Sequence, residues 1–194
     1  KNLHLSDGAL IATNSLGTAE GGQISIKVAE TANLVGEDQR GVVSSILATA
    51  AGAGNGGTIV LIANQLTLQN GANIRADSGK DSSGKGGNIN IEVSNLVSLS
   101  GAASQGFGSL ISANASGRKE DAGNGGTIVL AAGRLQLTDG AQVSTSTFGP
   151  GQGGTLAVTV TDEVNLSGED KSKDHFQSGL FSTSQGDTPQ AGQG

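Results

Sequence analysis

The acidic pairs Glu37-Asp38 and Glu169-Asp170 come nearest, by residue type and placement, to a chemical site in this chain. Each follows a glycine, Gly36 or Gly168, that closes a short alternating run, so the two pairs hold equivalent places in a repeat. Carboxylates on a loop are the hard oxygen donors that Ca²⁺ takes, and a carboxylate pair can also act on a glycosidic bond. The equivalent place between them reads Gly101-Ala102-Ala103, which breaks the series. Solvated turn residues are the plainer account, and Glu37, Asp38, Glu169 and Asp170 stand as weak Ca²⁺ candidates only. His4 and His175 fall at unlike positions of the repeat and supply no ligand set. There is no Gly-x-Ser-x-Gly elbow, and the glycine-rich stretch 52–57 lacks the Lys-Ser/Thr of a phosphate loop. No Gly-Gly doublet is followed by the Gly-x-Asp of calcium-binding solenoid repeats. The run Arg118-Lys119-Glu120-Asp121 is mixed in sign and reads as a loop tip. The expectation is a non-enzyme with no catalytic residue, metal or cofactor.

What must position these loops is a repeat. The doublets Gly21-Gly22, Gly56-Gly57, Gly86-Gly87, Gly125-Gly126 and Gly153-Gly154 each restart an alternating run, at 23–28, 58–63, 88–93, 127–132 and 155–160. Inward residues such as Ile24, Ile59, Ile89, Ile128 and Leu156 recur with the period of two of a half-buried strand. A second piece puts two inward residues before a corner glycine: Leu3/Leu5 before Gly8, Ala32/Leu34 before Gly36, Leu66/Leu68 before Gly71, Val97/Leu99 before Gly101, Leu135/Leu137 before Gly140, and Val164/Leu166 before Gly168. Glycine there supplies the positive φ of a sharp corner. A third piece follows directly in short repeats, as in Gly71-Ala72-Asn73-Ile74, and after an insert in long ones. Spacings over two doublets are steady: 65 residues from Gly22 to Gly87, 69 from Gly57 to Gly126 and 67 from Gly87 to Gly154. Long and short repeats therefore alternate.

Three strands per repeat, with corners between them, predict an all-β right-handed parallel β-helix of about five to six coils without helices, the coils starting near residues 21, 56, 86, 125 and 153. The doublet is the third corner, where missing Cβ atoms let stacked backbones close up. The outward positions of the second strand, His4, Asn33, Thr67, Ser98, Gln136 and Asn165, hold no acid, and those of the first offer only Lys27 and Glu92. A catalytic carboxylate cluster is hard to assemble on such faces.

Composition agrees. Of 194 residues, 33 are Gly and only 2 are Pro, which excludes collagen and proline-rich linkers. Four phenylalanines are the only aromatics, so the core must be stacked small aliphatics. The formal charge of −6 and the lack of a basic stripe argue against nucleic acid. Cysteine is absent, so packing and ladder hydrogen bonds must carry stability. A start at Lys1 without Met and an end in mid-pattern read as a piece of a longer array.

The stretches Gly123-Asn124-Gly125-Gly126-Thr127-Ile128, Arg134-Leu135-Gln136-Leu137-Thr138-Asp139-Gly140-Ala141-Gln142-Val143 and Glu163-Val164-Asn165-Leu166-Ser167-Gly168 resemble filamentous-haemagglutinin-like exoproteins of two-partner secretion systems. The resemblance covers essentially the whole chain and is more specific for architecture than for function; the family's N-terminal secretion domain is not recognisable. It implies export through an outer-membrane transporter partner of a Gram-negative-type bacterium, folding outside the cell, and a shaft used for adhesion or surface coating. The absence of cysteine fits a chain that crosses the periplasm unfolded. The expected function is a structural, adhesive shaft segment of a secreted or cell-surface exoprotein, meeting host or neighbouring-cell glycans or proteins. Two alternatives stay open: a self-assembling extracellular filament that associates end to end, and a polysaccharide-binding or polysaccharide-cleaving β-helix.

Candidate contact residues are outward apolar ones. Alternation places Val60, Ile62 and Val129 outside on the first strand, with Ala131 beside them, and Leu10, Ile46, Leu110 and Leu180 outside on the third. The inserts 37–44, 102–108 and 169–178 are expected to fold back over Leu110 and Leu180, with Phe107 and Phe176 as plugs.

Overall fold

The computed structural model describes residues 1–118 and 120–186. It is all-β, a right-handed parallel β-helix of about five coils. Its thirteen strands are β1 (Leu3–Ser6), β2 (Leu10–Ala12), β3 (Gln23–Lys27), β4 (Thr31–Val35), β5 (Ser45–Leu47), β6 (Thr58–Gln69), β7 (Asn73–Arg75), β8 (Asn88–Ser100), β9 (Leu110–Ser112), β10 (Thr127–Thr138), β11 (Gln142–Ser144), β12 (Thr155–Ser167) and β13 (Gly179–Phe181). They form two parallel sheets. One stacks β1-β4-β6-β8-β10-β12, with β3 also paired to β6; the other stacks β13-β11-β9-β7-β5-β2.

The first two expected segments run on as one strand in β6, β8, β10 and β12. Their corner is a bulged bend at which the register shifts, between Ala63 and Gln65 and between Ala132 and Arg134. Short coils pass this bend with one residue, Asn64 or Gly133, and long coils with two, as at Ser94-Asn95. The extra residue turns the strand without breaking the ladder. The alternation of long and short coils is thus written into the bend as well as into the inserts.

The registers superpose the inner residues into ladders. Ile24, Ile59, Ile89, Ile128 and Leu156 form one. Leu5, Leu34, Leu68, Leu99, Leu137 and Leu166 form another. The interior ladders are fully buried through the middle coils. Ala48, Ala76 and Ala113 fill the narrow end beside the doublets and are also buried. Chains of identical aliphatics one rung apart fill this core, which explains why it needs no large rings.

The six corner glycines Gly8, Gly36, Gly71, Gly101, Gly140 and Gly168 all have positive φ, between 65° and 83°. In the short coils the residue before the glycine, Asp7, Asn70 or Asp139, is left-handed too, with φ of 55–57°. Asp and Asn tolerate that region best among non-glycine residues, so Asp-Gly or Asn-Gly is the short coil's corner. Each long coil completes it with a serine. The Gly8 N–H donates to Ser44 Oγ at 3.2 Å, Gly71 to Ser109 Oγ at 3.2 Å and Gly140 to Ser178 Oγ at 2.9 Å.

The doublets work by close approach. In the second glycine of each pair the N–H bonds back to the end of the third strand of the preceding turn: Gly57 to Ala48 O and Gly87 to Ala76 O, both at 2.6 Å, and Gly126 to Ala113 O at 2.7 Å. This pinch throws the intervening loop out of the coil. A Cβ on Gly57, Gly87, Gly126 or Gly154 would collide with the backbone carbonyl of the glycine in the coil before it.

Candidate functional site

Three polar and loop systems lie outside the core, and they frame one groove. The first is the column of inserts. Each insert is a small hairpin closed by an antiparallel bridge, Glu37 with Val43, Ala102 with Gly108 and Glu169 with Gln177. The hairpins belong to alternate coils yet touch. The Ser104 N–H donates to Glu37 Oε1 at 2.8 Å, across 67 residues. The Phe107 and Phe176 rings sit 6.5 Å apart at 33°.

The acidic candidates Asp38 and Asp170 are caps within these hairpins. Asp38 Oδ1 accepts the N–H of Arg40 at 2.8 Å and of Val42 at 3.0 Å, while Oδ2 takes the Arg40 guanidinium at 2.7 Å. The Val42 N–H first, then the Arg40 side chain, hold its carboxyl below the ordinary aspartate value. Asp170 is buried, and its Oδ1 accepts from Ser172 N, Ser172 Oγ and Phe176 N. Glu169 faces His175 at 3.1 Å and takes Gln177 Nε2 at 3.0 Å. Glu37 is spent on Ser104. The pairs therefore lie in separate hairpins: Asp38, Glu169 and Asp170 are held within their own loops, while Glu37 reaches the next hairpin through Oε1 and its buried Oε2 has no hydrogen-bond partner among the described residues. Among the described residues no three His, Cys, Asp or Glu converge on a point. His4 only meets Asn33 Nδ2, at 3.4 Å. Arg118, Glu120 and Asp121 are exposed, as the loop-tip reading expects. Lys119 lies outside the described residues.

The second system is the outer face of the third strand. Past its end, polar side chains bridge successive coils. Asp77 is buried; its Oδ1 accepts the Asn114 N–H at 2.7 Å and its Oδ2 pairs with Arg75 at 2.6 Å. Asn114 Oδ1 in turn accepts from Ser146 N at 2.7 Å and Ser144 Oγ at 2.9 Å. Ser146 Oγ meets Thr183 Oγ1 at 2.9 Å. Asp77, Asn114 and Ser146 are thus satisfied from one coil to the next, whereas Asn73 Oδ1 and Thr145 Oγ1 in the same coils are buried without a partner among the described residues.

The third system is the stack of loops after that strand. Ser15, Ala50, Ser78, Ala115, Thr147 and Ser184 form a ladder of single parallel bridges. It carries Phe148, whose N–H donates to Ala115 O at 3.0 Å.

Between the insert column and the loop stack runs a groove of about 780 Å³, floored by the third strands. Arg75, Asn114, Gln142, Ser144, Ser146 and Thr183 give it a polar base, and Leu110 an apolar spot. All four phenylalanines of the chain, Phe107, Phe148, Phe176 and Phe181, line it. Phe107 and Phe176 are 52% and 44% exposed, so they are a ring pair facing solvent and not the plugs expected from sequence.

The candidate contact residues separate accordingly. Leu110 is outward, half-buried, and part of this groove. Leu180 is not outward: it stands on the inner ladder Ile11-Ile46-Ile74-Ile111-Val143-Leu180, and Ile46 with it. Leu110 stands in register with Ser45 and Gly179, one place ahead of Ile46 and Leu180 on the strand, and a one-residue offset exchanges the faces. Val60, Ile62 and Val129 are outward on the other sheet. Asn90 stands between Val60 and Val129 in register, and Glu92 beside Ile62, so the row is interrupted. Only a shallow dip at the bend gathers Ile62, Glu92, Val129 and Thr159. The phenylalanine groove was missed from sequence because the four rings belong to three different coils, and only the stacking brings them together.

No protein-family model, curated protein or solved structure matches the chain.

Proposed function

We propose that this chain is a structural and adhesive shaft segment of a secreted or cell-surface bacterial exoprotein, a β-helix that presents a side groove to other surfaces and performs no catalysis. The observation that carries the reading is the division of labour in the coil. Inner ladders run unbroken from coil to coil, while the inserts of the long coils stand in one column on the flank, and all four phenylalanines line the groove beside it. The resemblance of the repeats to filamentous-haemagglutinin-like exoproteins supports the same reading, with a Gram-negative outer-membrane transporter as the export partner and surface glycans or proteins as targets.

The test is retention. Beads carrying the purified chain, or an unfolded Ile91→Asp control, are passed over bacterial and animal cell layers, and attachment is counted. Attachment of the folded chain alone is expected. No attachment to any layer, or release of fragments from acidic glycans incubated with the chain, overturns the reading.

One observation favours the filament reading as a second. The last coil leaves Val164 and Leu166 51% and 41% exposed, where Leu135 and Leu137 one coil earlier are buried. A further coil, of this polypeptide or of a second copy, is what such a surface takes. Electron microscopy over a concentration series separates the two: rods that lengthen with concentration indicate end-to-end stacking.

A further inference from the structure

We propose that the phenylalanine groove is a binding site for an uncharged glycan chain lying along the axis of the β-helix. The proposal deepens the adhesive reading by naming the ligand class, and it rests on that reading only for the ligand's being part of a surface.

The first ground is the use of aromatics. A chain with four rings in 194 residues does not need them for packing, and its buried core is aliphatic. All four face one groove, and two stay about half exposed on hairpins that lean together. Rings held this way offer flat faces to the C–H side of a pyranose, and their own apolar contact with water is relieved when one lands there.

The second ground is the floor. Its donors and acceptors are side-chain amides and hydroxyls: Asn114, Gln142, Ser144, Ser146, Thr183 and Gln185. Asn114 Oδ1 is fixed by Ser144 and Ser146, and no hydrogen bond among the described residues takes up its Nδ2. Gln142 donates through Nε2 to Gln177 O at 3.0 Å, which keeps its Oε1 as the acceptor on offer. These groups suit hydroxyls. One row of them, Asn114, Ser146 and Thr183, recurs once per coil, about 4.8 Å apart, close to the length of one sugar in an extended chain. A peptide strand has less to use here. The floor strands β7, β9 and β11 are paired on both sides, so there is no free edge to extend.

The third ground is charge. Arg75, the one Lys or Arg among the described lining residues, is committed to buried Asp77 at 2.6 Å. Asp170 and Asp174 put negative charge on the insert side, and the chain carries −6 overall. A uronate or sulfate chain would meet no free Lys or Arg among the described lining residues and a repelling field around it. A neutral chain meets neither penalty.

Affinity electrophoresis and calorimetry test this, with cellohexaose, a mixed-linkage glucan, laminarin and galactomannan as neutral probes, and heparin and polygalacturonate as charged ones. The chain is expected to bind at least one neutral probe, with little change between low and high salt. Phe107→Ala/Phe176→Ala should weaken that binding by about tenfold or more. Both rings are half exposed, so the variant should keep its circular dichroism and its melting point; Asn114→Ala and Phe148→Ala give independent readouts should the hairpins loosen. Failure on every neutral probe overturns the proposal, as does binding that all these variants leave intact. Salt-sensitive preference for the polyanions overturns it too, and so does capture of a leucine- or phenylalanine-rich peptide in place of glycans. If beads still attach to cells while the groove variants attach equally well, the adhesive reading stands and this assignment falls.

Discussion

The leucine ladder Leu5-Leu34-Leu68-Leu99-Leu137-Leu166 allows one substitution to be made at six heights of the same stack. Leu99 is fully buried between Leu68 and Leu137, whereas Leu166 is 41% exposed. Leu→Ala removes three carbons, about 2.4 kcal/mol of transfer at ~0.8 kcal/mol each. At Leu99 the coils above and below are held by their own ladders and cannot collapse into the gap. The cavity term adds, and the total should be about 3–5 kcal/mol. At Leu166 only about six-tenths of the side chain is out of water and the space opens to solvent, so about 1.4 kcal/mol is expected, with no cavity term. The response should also differ in kind, because stability in a solenoid is nearly a sum over coils and their interfaces. Leu166→Ala should release the last coil and leave the rest protected. Leu99→Ala should weaken both the coil before it and the one after it. Urea unfolding gives the free energies, and hydrogen exchange resolved by peptide gives the distribution. A cost at Leu166 equal to that at Leu99, or a cost below about 1 kcal/mol at Leu99, would refute the ladder argument.

Gly87→Ala should be severely destabilising, since its Cβ would meet backbone atoms of Gly56 at 2.5 Å, whereas Gly17→Ala, with nothing within 4 Å, should be neutral; paired thermal melts check the contrast. Ser109→Ala removes the acceptor of the Gly71 N–H, a buried group, and should cost about 1–3 kcal/mol in urea unfolding, with Ser109→Thr judged against it. Asp38 has its carboxyl lowered by the Val42 N–H and by Arg40, so its contribution is complete above the ordinary value of 3.8 and is lost as pH falls through the lowered folded value. Protection of the Arg40 and Val42 amides, relative to their intrinsic exchange at each pH, should fall over that acidic window and should stay level there in Asp38→Asn. Millimolar Ca²⁺ should leave the melting point unchanged, because Oδ1 of Asp38 and of Asp170 is already taken by hairpin N–H groups and Asp38 Oδ2 by Arg40; a clear upward shift would mean the hairpins re-form around the ion.

The sequence by itself determined the coil. Period-two aliphatics after each doublet name the inner face. Glycine before each third strand names the corner, and all six adopt the positive φ expected. Such features are local: a two-residue period and a backbone without Cβ act within a few residues of where they are written. The two-coil beat near 67 residues was legible for the same reason, and it returns as the bond from Ser104 to Glu37. What only the tertiary structure decided depends on register between coils. Leu110 and Leu180 look alike in sequence, yet one lies in the groove and the other in the core, because Leu110 stands in register with Gly179, off the inner ladder, while Leu180 stands one place further on, in register with Ile111 on it. Asp38 and Asp170 look like ion ligands until their hairpins close and supply the N–H groups they need. The phenylalanine groove has no sequence signature at all. Its rings come from inserts, a loop and a strand on three coils, and parallel stacking is the only force that sets them side by side.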